Sequence, residues 1–421
     1  MNILEFIHEL TWNDLPGSVR HQALRCLLDT LGAGIGGRTT DLSRIVHDFA
    51  ALAFGGRGAH LWQDGREVSP PGAALANGMT VDALDIHDGH MLTKGHAGAA
   101  IVPAALAILN LGQGKVSGQE LLILLVAGYE VAIRAGVALH ATVSDYHTSG
   151  AWNALGCAAL TARRLGLNAE ATRHALGIAE YHGPRSQMMR CIDYPTMLKD
   201  GSGCGAMAGV SAGMLAAGGF TGAPAITVEA ANVAHFWTDL GTTWHVLDQY
   251  FKPHATCRWA QPAAEGALAI QHAHQLRPDD IARIRVTTFY EATQLNHPRP
   301  ATTEEAQYSL PFPVAAALFH HGLGPAALSG QALHDEAVLS LADRVELAED
   351  PALSARFPAE RVARVRVETT EGQYFELEEV KPRWEASAPP TDEELRAKFR
   401  WLAAGQLPQA RAEALEGSIW N

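Results

Sequence analysis

The sequence predicts a mainly α fold, in which a large helical domain is built from both chain ends and an α+β domain is inserted between them. From Leu15 to about Phe220, apolar residues recur at helical spacing in stretches rich in Ala and Gly, which is typical of closely packed helices. In the segment that follows, polar and apolar residues alternate as they do in strands. We therefore expect a helical domain from residues 1–247 and 386–421 and an α+β domain from residues 248–385.

The helix starts carry residues suited to the first turn. Pro16 fits the first turn of a helix that continues through "VRHQALRCLLDTLGAGIGG". Ser117 and Glu120 form a capping-box pattern before a second helix, and Asn168 is placed to cap a third. The stretch "GSGCGAMAGVSAGMLAAGGF" predicts a further helix made of small residues.

The inserted domain combines strands with short helices. "IARIRVTTF" and "VARVRVETTEGQYFELEEV" predict strands, and Glu371 and Gly372 lie where the second stretch needs a hairpin turn. "SLPFPVAAALFHHG" and "DEAVLSLADRV" predict helices between these strands. Thr391 and Glu394 then cap a last amphipathic helix, "DEELRAKFRWLAAG", which we expect to return to the helical domain.

The composition restricts the classes of partner. Of 421 residues, 47% are apolar and 18% charged, and the net charge of −13 disfavours nucleic acid and acidic membrane surfaces. We recognise no signal peptide and no apolar run near the roughly 20 residues needed to span a membrane. The five cysteines are scattered without CxxC spacing, so we expect neither a disulfide framework nor a structural zinc site. These features predict a cytoplasmic protein.

The densest group of titratable residues lies in "DALDIHDGHMLTKGHAGAAIVPAAL". One interpretation is a metal site made of Asp85, His87, His90 and His96, although their spacing matches no ligand signature. A second is a solvated loop. We favour a third, a cleft for an anion, because His96 lies between glycines at the start of a helix whose first amides are free.

Two further residues precede glycine-rich helix starts in the same way. His147 comes before "TSGAWNALG", and Lys199 before "DGSGCGAMAG". A single histidine or lysine at such a position is more often a cap or a solvated side chain. In a cleft, Lys199 would hold a carboxylate, or act as a base if burial lowered its pKa.

The stretch "FKPHATCRWAQPA" adds candidates at the expected domain junction, where ligands commonly bind. It contains Lys252, His254, Cys257 and Arg258. The pKa of Cys257 could be lowered by its arginine neighbour, although a buried structural thiol is the commoner case. We find no nucleotide-binding loop, nucleophile elbow or HExxH motif, and we therefore predict no cofactor.

Taken in order, these segments together with "TTEEAQYSLPFPVAAAL" resemble the MmgE/PrpD family over most of the chain. This family contains dehydratases, decarboxylases and epimerases of small di- and tricarboxylates. The resemblance implies a homodimer, an inserted lid domain and a metal-free active site between the domains. Its site residues map onto Asp85, His96, His147, Lys199 and Lys252.

The sequence also departs from the family pattern. The Asp-Asp-Thr run of the family appears here as Asp88-Gly89, so its hydroxyl group is missing. The histidine and tyrosine of decarboxylase-like members align with Cys257 and Phe312. His254 lies near the first of these positions as a substitute. These differences argue against decarboxylation.

We therefore expect a cofactor-independent, hydro-lyase-like enzyme that removes a proton next to a carboxylate of a small polycarboxylate. His96 and His147 are the predicted acid/base pair, with Asp85 orienting one imidazole and Lys199 stabilising the developing charge. The expected substrate-binding residues are Lys252, Arg258, His254, Cys257 and His90. An epimerase using the same site and a non-catalytic carboxylate-binding protein are the alternatives.

Overall fold

The computed structural model describes residues 1–420 and shows a mainly helical protein, as the sequence predicts. The N-terminal part contains eleven helices, which are α1 (Ile3–Glu9), α2 (Gly17–Gly37), α3 (Asp41–Ala53), α4 (Pro70–Asp82), α5 (Gly98–Ala107), α6 (Gly118–Thr142), α7 (Gly150–Leu165), α8 (Ala169–His182), α9 (Met189–Asp193), α10 (Ser202–Ala217) and α11 (Ile226–Glu229). Two small two-stranded sheets accompany them, made of β1 (Ala59–His60) with β2 (Glu67–Val68) and of β3 (Gly89–His90) with β4 (Gln249–Tyr250).

The remaining elements follow β4. The helices are α12 (Gln261–His274), α13 (Tyr290–Thr293), α14 (Thr303–Gln307), α15 (Pro311–His320), α16 (Glu336–Ala342), α17 (Pro351–Ser354), α18 (Asp392–Ala403) and α19 (Gln409–Trp420). The strands are β5 (Ile281–Thr288), β6 (Val345–Glu349), β7 (Ala363–Thr369) and β8 (Tyr374–Val380).

The helices of the N-terminal part pack closely because small residues lie between them. In α10, a Cβ atom added at Gly209 would lie 2.3 Å from the carbonyl oxygen of Ala154 in α7. The largest buried apolar cluster joins this part to the chain's end, since it includes Phe251 and also Leu395 and Phe399 of α18. The last helices therefore return to the N-terminal part, where α18 packs against α2.

A four-stranded sheet with the order β6-β5-β7-β8 organises the second part. The predicted hairpin is present, with β7 and β8 antiparallel and Gly372 in the turn at φ +83°. The prediction of a helix throughout "DEAVLSLADRV" is wrong at its end. The helix stops at Ala342, and Val345 begins β6, which pairs in parallel with β5. A separate apolar cluster covers this sheet and includes Ile284, Val365 and Leu318.

The helix caps follow the sequence with two differences. Asn168 and Ser117 accept hydrogen bonds from the amides three residues later, and Thr391 and Glu394 form a reciprocal capping box. The capping box predicted for Ser117 and Glu120 is only half formed, because the Glu120 carboxylate contacts Arg163 instead. Pro16 occupies the position before the first helical residue of α2 instead of its first turn.

Helix α6 contradicts the expectation that no apolar run is long enough to span a membrane. It has 25 residues, and a window within it has a mean hydropathy of 1.9. Its apolar surface is covered by neighbouring helices, with 89% of that window buried. Two charges in its middle, Glu130 and Arg134, are paired at 3.4 Å. The helix therefore has the burial of a core helix.

Candidate active site

The loop between α4 and α5 lines a small cavity together with Tyr146, Met188 and residues from β4 onwards. The volume of the cavity is about 20 Å³, which is room for about one water molecule. It is lined by Asp85, Lys94, His96, Tyr146, Met188, Tyr250, Lys252, Cys257, Arg258, Trp259, Tyr308 and Arg361. Several of these side chains are charged, so the cavity offers partners for a polar or charged group.

His96 is held in one tautomer. Its Nδ1 lies 2.6 Å from the backbone carbonyl oxygen of Asp88, which can only accept a hydrogen bond. Nδ1 therefore carries the proton, and Nε2 keeps a free lone pair when the ring is neutral. Burial, together with the positive charge of Lys252, holds the pKa of His96 well below its ordinary value. The ring is thus a neutral base whose acceptor atom is Nε2.

The backbone of His96 is fixed by α7. Its N–H donates to Ser149 Oγ at 2.8 Å, and its carbonyl oxygen accepts from Asn153 Nδ2 at 2.8 Å. Ser149 is bound in turn to the carboxyl group of Asp200 at the start of α10. Burial raises the pKa of Asp200 to about 8, with the nearby charge of Asp82 adding to the effect. Two helices therefore hold the position of one imidazole.

Asp85 and Lys252 form a buried ion pair beside this imidazole. Lys252 Nζ lies 2.8 Å from Asp85 Oδ1 and 3.0 Å from its carbonyl oxygen. The same Oδ1 is 4.0 Å from His96 Nε2, which is too long for a hydrogen bond. The hydrogen bond that orients the ring therefore comes from the Asp88 backbone, not from the Asp85 carboxylate. Asp85 is placed to stabilise the ring after it gains a proton.

Beneath the loop, the carboxyl group of Asp88 is bound on both sides. Tyr129 donates its hydroxyl hydrogen to Oδ2 at 2.6 Å, and the Gly98 amide at the start of α5 lies 3.2 Å from Oδ1. Burial raises the pKa of Asp88 to about 6. A Cβ at Gly98 would lie 2.4 Å from the Tyr129 oxygen, so only glycine allows this approach.

Three residues near the cavity have left-handed backbone conformations without being glycine. Their φ angles are +49° at Asp85, +52° at Lys94 and +51° at Lys199. Such conformations cost about 1 kcal/mol or more for ordinary residues and concentrate at functional sites. The positions of the two lysines and the aspartate therefore depend on the surrounding structure.

Lys199 is buried next to the cavity but does not line it. Its ammonium group bonds Gln307 Oε1 and lies 4.7 Å from the ring centroid of Tyr308, which is a cavity residue. It lines instead an adjoining pocket of about 260 Å³ together with Thr148 and Cys191. Met188, which lines the cavity, directly follows Gln187, which lines this pocket.

His147 lies in neither space. It directly follows Tyr146 of the cavity wall, and its backbone N–H donates to His140 Nε2 at 3.2 Å. Its Nδ1 is buried without a hydrogen-bond partner. The structure therefore does not bring the two predicted acid/base histidines into one cavity.

Two of the expected substrate-binding histidines also lie elsewhere. His254 Nε2 is 2.8 Å from Glu265 Oε1, beside a surface depression and not in the cavity. The ring of His90 faces His245, with 5.7 Å between the centroids. His254 therefore does not take the position of the missing decarboxylase-type histidine in this arrangement.

Cys257 and Arg258 do line the cavity. Burial raises the pKa of Cys257 to about 12, and the charge of Asp85 acts in the same direction. This overturns the expectation of a lowered pKa, and the group is a neutral thiol. The guanidinium of Arg258 is bound to Glu385 at 2.8 Å and to the Phe251 carbonyl oxygen at 3.0 Å.

Arg361, which no sequence pattern indicated, is only 2% exposed and lines the same cavity. Within residues 1–420 it forms no ion pair, and its Nε has no hydrogen-bond partner. Nothing in "ERVARVRVE" separates it from Arg364 and Arg366, which pair with glutamates on the sheet surface. Only the fold shows that one of these arginines points inward.

Potential metal ligands also come together in two groups. His90, His245 and Asp248 form one, and Asp82, Asp85 and His87 form the other. In the second group the donors are engaged, because His87 Nε2 lies 3.1 Å from Asp82 and Asp85 is bound to Lys252. The four residues considered from the sequence as one metal site do not come together. His90 lies in the first group, Asp85 and His87 lie in the second, and His96 lines the cavity.

Comparison with known proteins gives a consistent result over nearly the whole chain. Residues 1–240 match the MmgE/PrpD N-terminal domain, and residues 254–421 match the MmgE/PrpD C-terminal domain. Cis-aconitate decarboxylase of Homo sapiens is 26% identical over 447 aligned positions, covering 99% of this chain and 90% of the relative. The cis-aconitate decarboxylase-like protein oryM of Aspergillus oryzae is 24% identical, covering 99% and 93%. Cis-aconitate decarboxylase of Aspergillus terreus is 23% identical, covering 99% and 91%.

Proposed function

Because the chain belongs to the MmgE/PrpD family, we propose that it is a cofactor-independent lyase acting on a small di- or tricarboxylate. The observation that carries this proposal is the neutral His96 imidazole, whose Nε2 lone pair is free in a cavity lined by four cationic side chains. A base surrounded by positive charge suits the removal of a proton next to a carboxylate. The decarboxylase relatives are lyases, which agrees with this class.

In the proposed reaction, His96 Nε2 takes the proton from the carbon next to a carboxylate as the C–H bond breaks. The imidazolium that forms is stabilised by Asp85, whose Oδ1 is 4.0 Å away. The negative charge that develops on the substrate carboxylate is stabilised by Lys252. In a dehydration, the neighbouring C–O bond then breaks, and the hydroxyl group leaves as water with a proton from a second group.

We assign this second proton to His147, although the closed cavity does not include it. The pocket that contains Lys199 is lined by Thr148, the residue after His147, and by Gln187, the residue before Met188 of the cavity. A cavity of about 20 Å³ is too small for a tricarboxylate. We therefore propose that residues 248–385 act as a lid, which opens for substrate and closes to exclude water.

Decarboxylation is the second candidate, because the relatives reported above carry that activity in their names. Two residues weigh against it. The position aligned with the decarboxylase-type histidine is the neutral thiol of Cys257, and Phe312 is buried in the apolar cluster that covers the sheet. Dehydration therefore remains our first proposal. Epimerisation is a further alternative, because it requires only the removal of a proton by His96 and the return of a proton to the same carbon. The homodimer and the cytoplasmic location remain predictions.

The test is turnover in deuterated water, followed by proton NMR, with hydroxy-tricarboxylates, unsaturated tricarboxylates and dicarboxylates as substrates. We expect loss of water and formation of a carbon–carbon double bond, with deuterium appearing only in recovered substrate, at the carbon from which His96 removes the proton. Release of CO₂ would support decarboxylation instead, exchange without elimination would support epimerisation, and ligand-induced stabilisation without exchange would support a binding protein.

Variants test the assigned groups. We expect His96→Gln to lower turnover by about 10²–10⁴-fold while keeping ligand-induced stabilisation, and His147→Ala to fold normally and lose activity. His60→Gln, at an exposed histidine, is the matched control. Full activity of the His96 variant would reject the base assignment, and turnover retained by the His147 variant would remove that residue from the mechanism.

A further inference from the structure

Arg361 is a buried cation without an oxygen acceptor. It precedes β7, and its guanidinium lies 5.6 Å from the ring centroid of Tyr250 and 6.0 Å from that of Phe357. The one hydrogen-bond contact of its side chain, within residues 1–420, is with Met91 Sδ, a weak acceptor. Its Nε is buried and unpaired.

Arg258 and Arg134, which are also buried, differ from Arg361 because they have oxygen acceptors. Arg258 is bound to Glu385 and to a backbone carbonyl oxygen. Arg134 is bound to Asp239 and to the carbonyl oxygens of Phe236 and Thr243. A buried charge without a partner is strongly unfavourable. Arg361 therefore lacks the anionic or carbonyl partner that these buried arginines have, which is what an anion-binding residue requires.

Arg361 and the proposed base, His96, line the same cavity. His96 and Asp85 come from the loop before α5, whereas Arg361 comes from the strand connection of the sheet-bearing part. The planar guanidinium binds a carboxylate through two parallel hydrogen bonds, which a lysine cannot match. One molecule with two carboxylates can thus contact both walls.

We propose that Arg361 binds a second carboxylate of the substrate, remote from the proton that His96 removes, and so selects di- and tricarboxylates over monocarboxylates. This inference rests on the proposed function, and it assigns the residue that excludes monocarboxylates from the same site. The bound carboxylate supplies the missing counter-charge. A monocarboxylate occupies the His96 side and leaves Arg361 unpaired.

The test compares binding of glutarate and valerate, which have the same chain length and differ by one carboxylate, with tricarballylate as a third probe. Binding is measured by calorimetry and by the shift in Tm. In the wild type we expect glutarate and tricarballylate to bind at least about tenfold more tightly than valerate. In Arg361→Met this preference disappears, and Arg361→Lys is intermediate.

The Tm of the ligand-free protein is a second measurement. A purely structural role for Arg361 predicts that Arg361→Met lowers this Tm. We expect ligand-free Arg361→Met to have a Tm equal to or above that of the wild type, because an uncompensated charge has been removed. Arg364→Met, on the sheet surface where Arg364 contacts Glu378 at 2.6 Å, is the control and should keep the wild-type preference.

Two outcomes would overturn the assignment of Arg361. One is an unchanged preference for glutarate in Arg361→Met, and the other is a ligand-free variant that is unfolded or has a clearly lower Tm. Failure of the proposed function looks different, since polycarboxylates would bind the wild type selectively without turnover or proton exchange. A wild type that binds none of the three probes would reject both.

Discussion

Two buried cations near the His96 loop, Lys398 and Arg361, differ in what they contact. Lys398 Nζ, from α18, lies 2.6 Å from Asp29 Oδ1 and 2.6 Å from the Ile86 carbonyl oxygen. Arg361 has no oxygen partner within the described chain. The first cation therefore fastens the loop to the helical core, whereas the second is left available to a ligand.

The loop side and the sheet side of the cavity differ in the same way. On the loop side, Asp85, Asp88 and His96 have their hydrogen bonds or ion pairs within the protein. On the sheet side, Arg361 has no oxygen acceptor within the described residues, and its Nε has no hydrogen-bond partner. Paired buried charges define the position of the base, and the unpaired charge defines what binds next to it. Three substitutions test this comparison.

The largest expected effect on stability is that of Lys398→Met. This change leaves Asp29 buried without its counter-charge, and it should lower the free energy of unfolding by about 3–5 kcal/mol. Urea denaturation at neutral pH measures the difference. The double variant Lys398→Met with Asp29→Asn should recover most of the loss, because both charges are then gone. Equal stability of the single variant and the wild type would show that the pairing of Lys398 does not hold the loop.

A medium effect is expected from Gly89→Thr, which restores the hydroxyl of the family pattern. A Cβ at Gly89 would lie 2.5 Å from Tyr250 Cζ and 2.8 Å from His96 Nδ1. We expect destabilisation by about 1–3 kcal/mol and reduced turnover, because the imidazole must move. Gly118→Thr is the matched control, since no atom lies within 4 Å of its added Cβ. A Gly89 variant as stable and active as this control would show that the loop has room to adjust.

The third substitution concerns a carboxyl group that is neutral instead of paired, and its effect is the smallest of the three only at acid pH. Burial raises the pKa of Asp200 to about 8 from an ordinary value of 3.8. Between these values the folded state holds a proton that the unfolded state has lost, so this group makes the protein less stable as pH rises towards about 8. Asp200→Asn removes the titration and keeps the shape of the side chain.

We therefore expect the Tm values of the wild type and Asp200→Asn to be similar near about pH 4, with the wild type falling further behind up to about pH 8. Thermal unfolding across this range gives the comparison. Parallel curves for the two proteins would mean that Asp200 is ionised in the folded state and belongs with the paired groups.

Local sequence patterns predicted the elements that depend on neighbouring residues. The hairpin at Gly372, the cap at Asn168 and the capping box at Thr391 all follow from side chains a few positions apart. Strand β6 was missed, because "VELAE" forms a strand through its long-range pairing with β5. The order of several short motifs was enough to predict the family, which the domain matches confirm.

The sequence by itself determined the helical class, the family and the residues with chemistry to offer, because composition, periodicity and motif order are properties of the chain. Tertiary structure decided which charges are compensated. It paired Asp85 with Lys252, turned the Asp88 carbonyl towards His96 Nδ1, and left Arg361 without an acceptor. Whether a buried charge has a partner depends on atoms from distant segments, and no local pattern in "ERVARVRVE" contains that information.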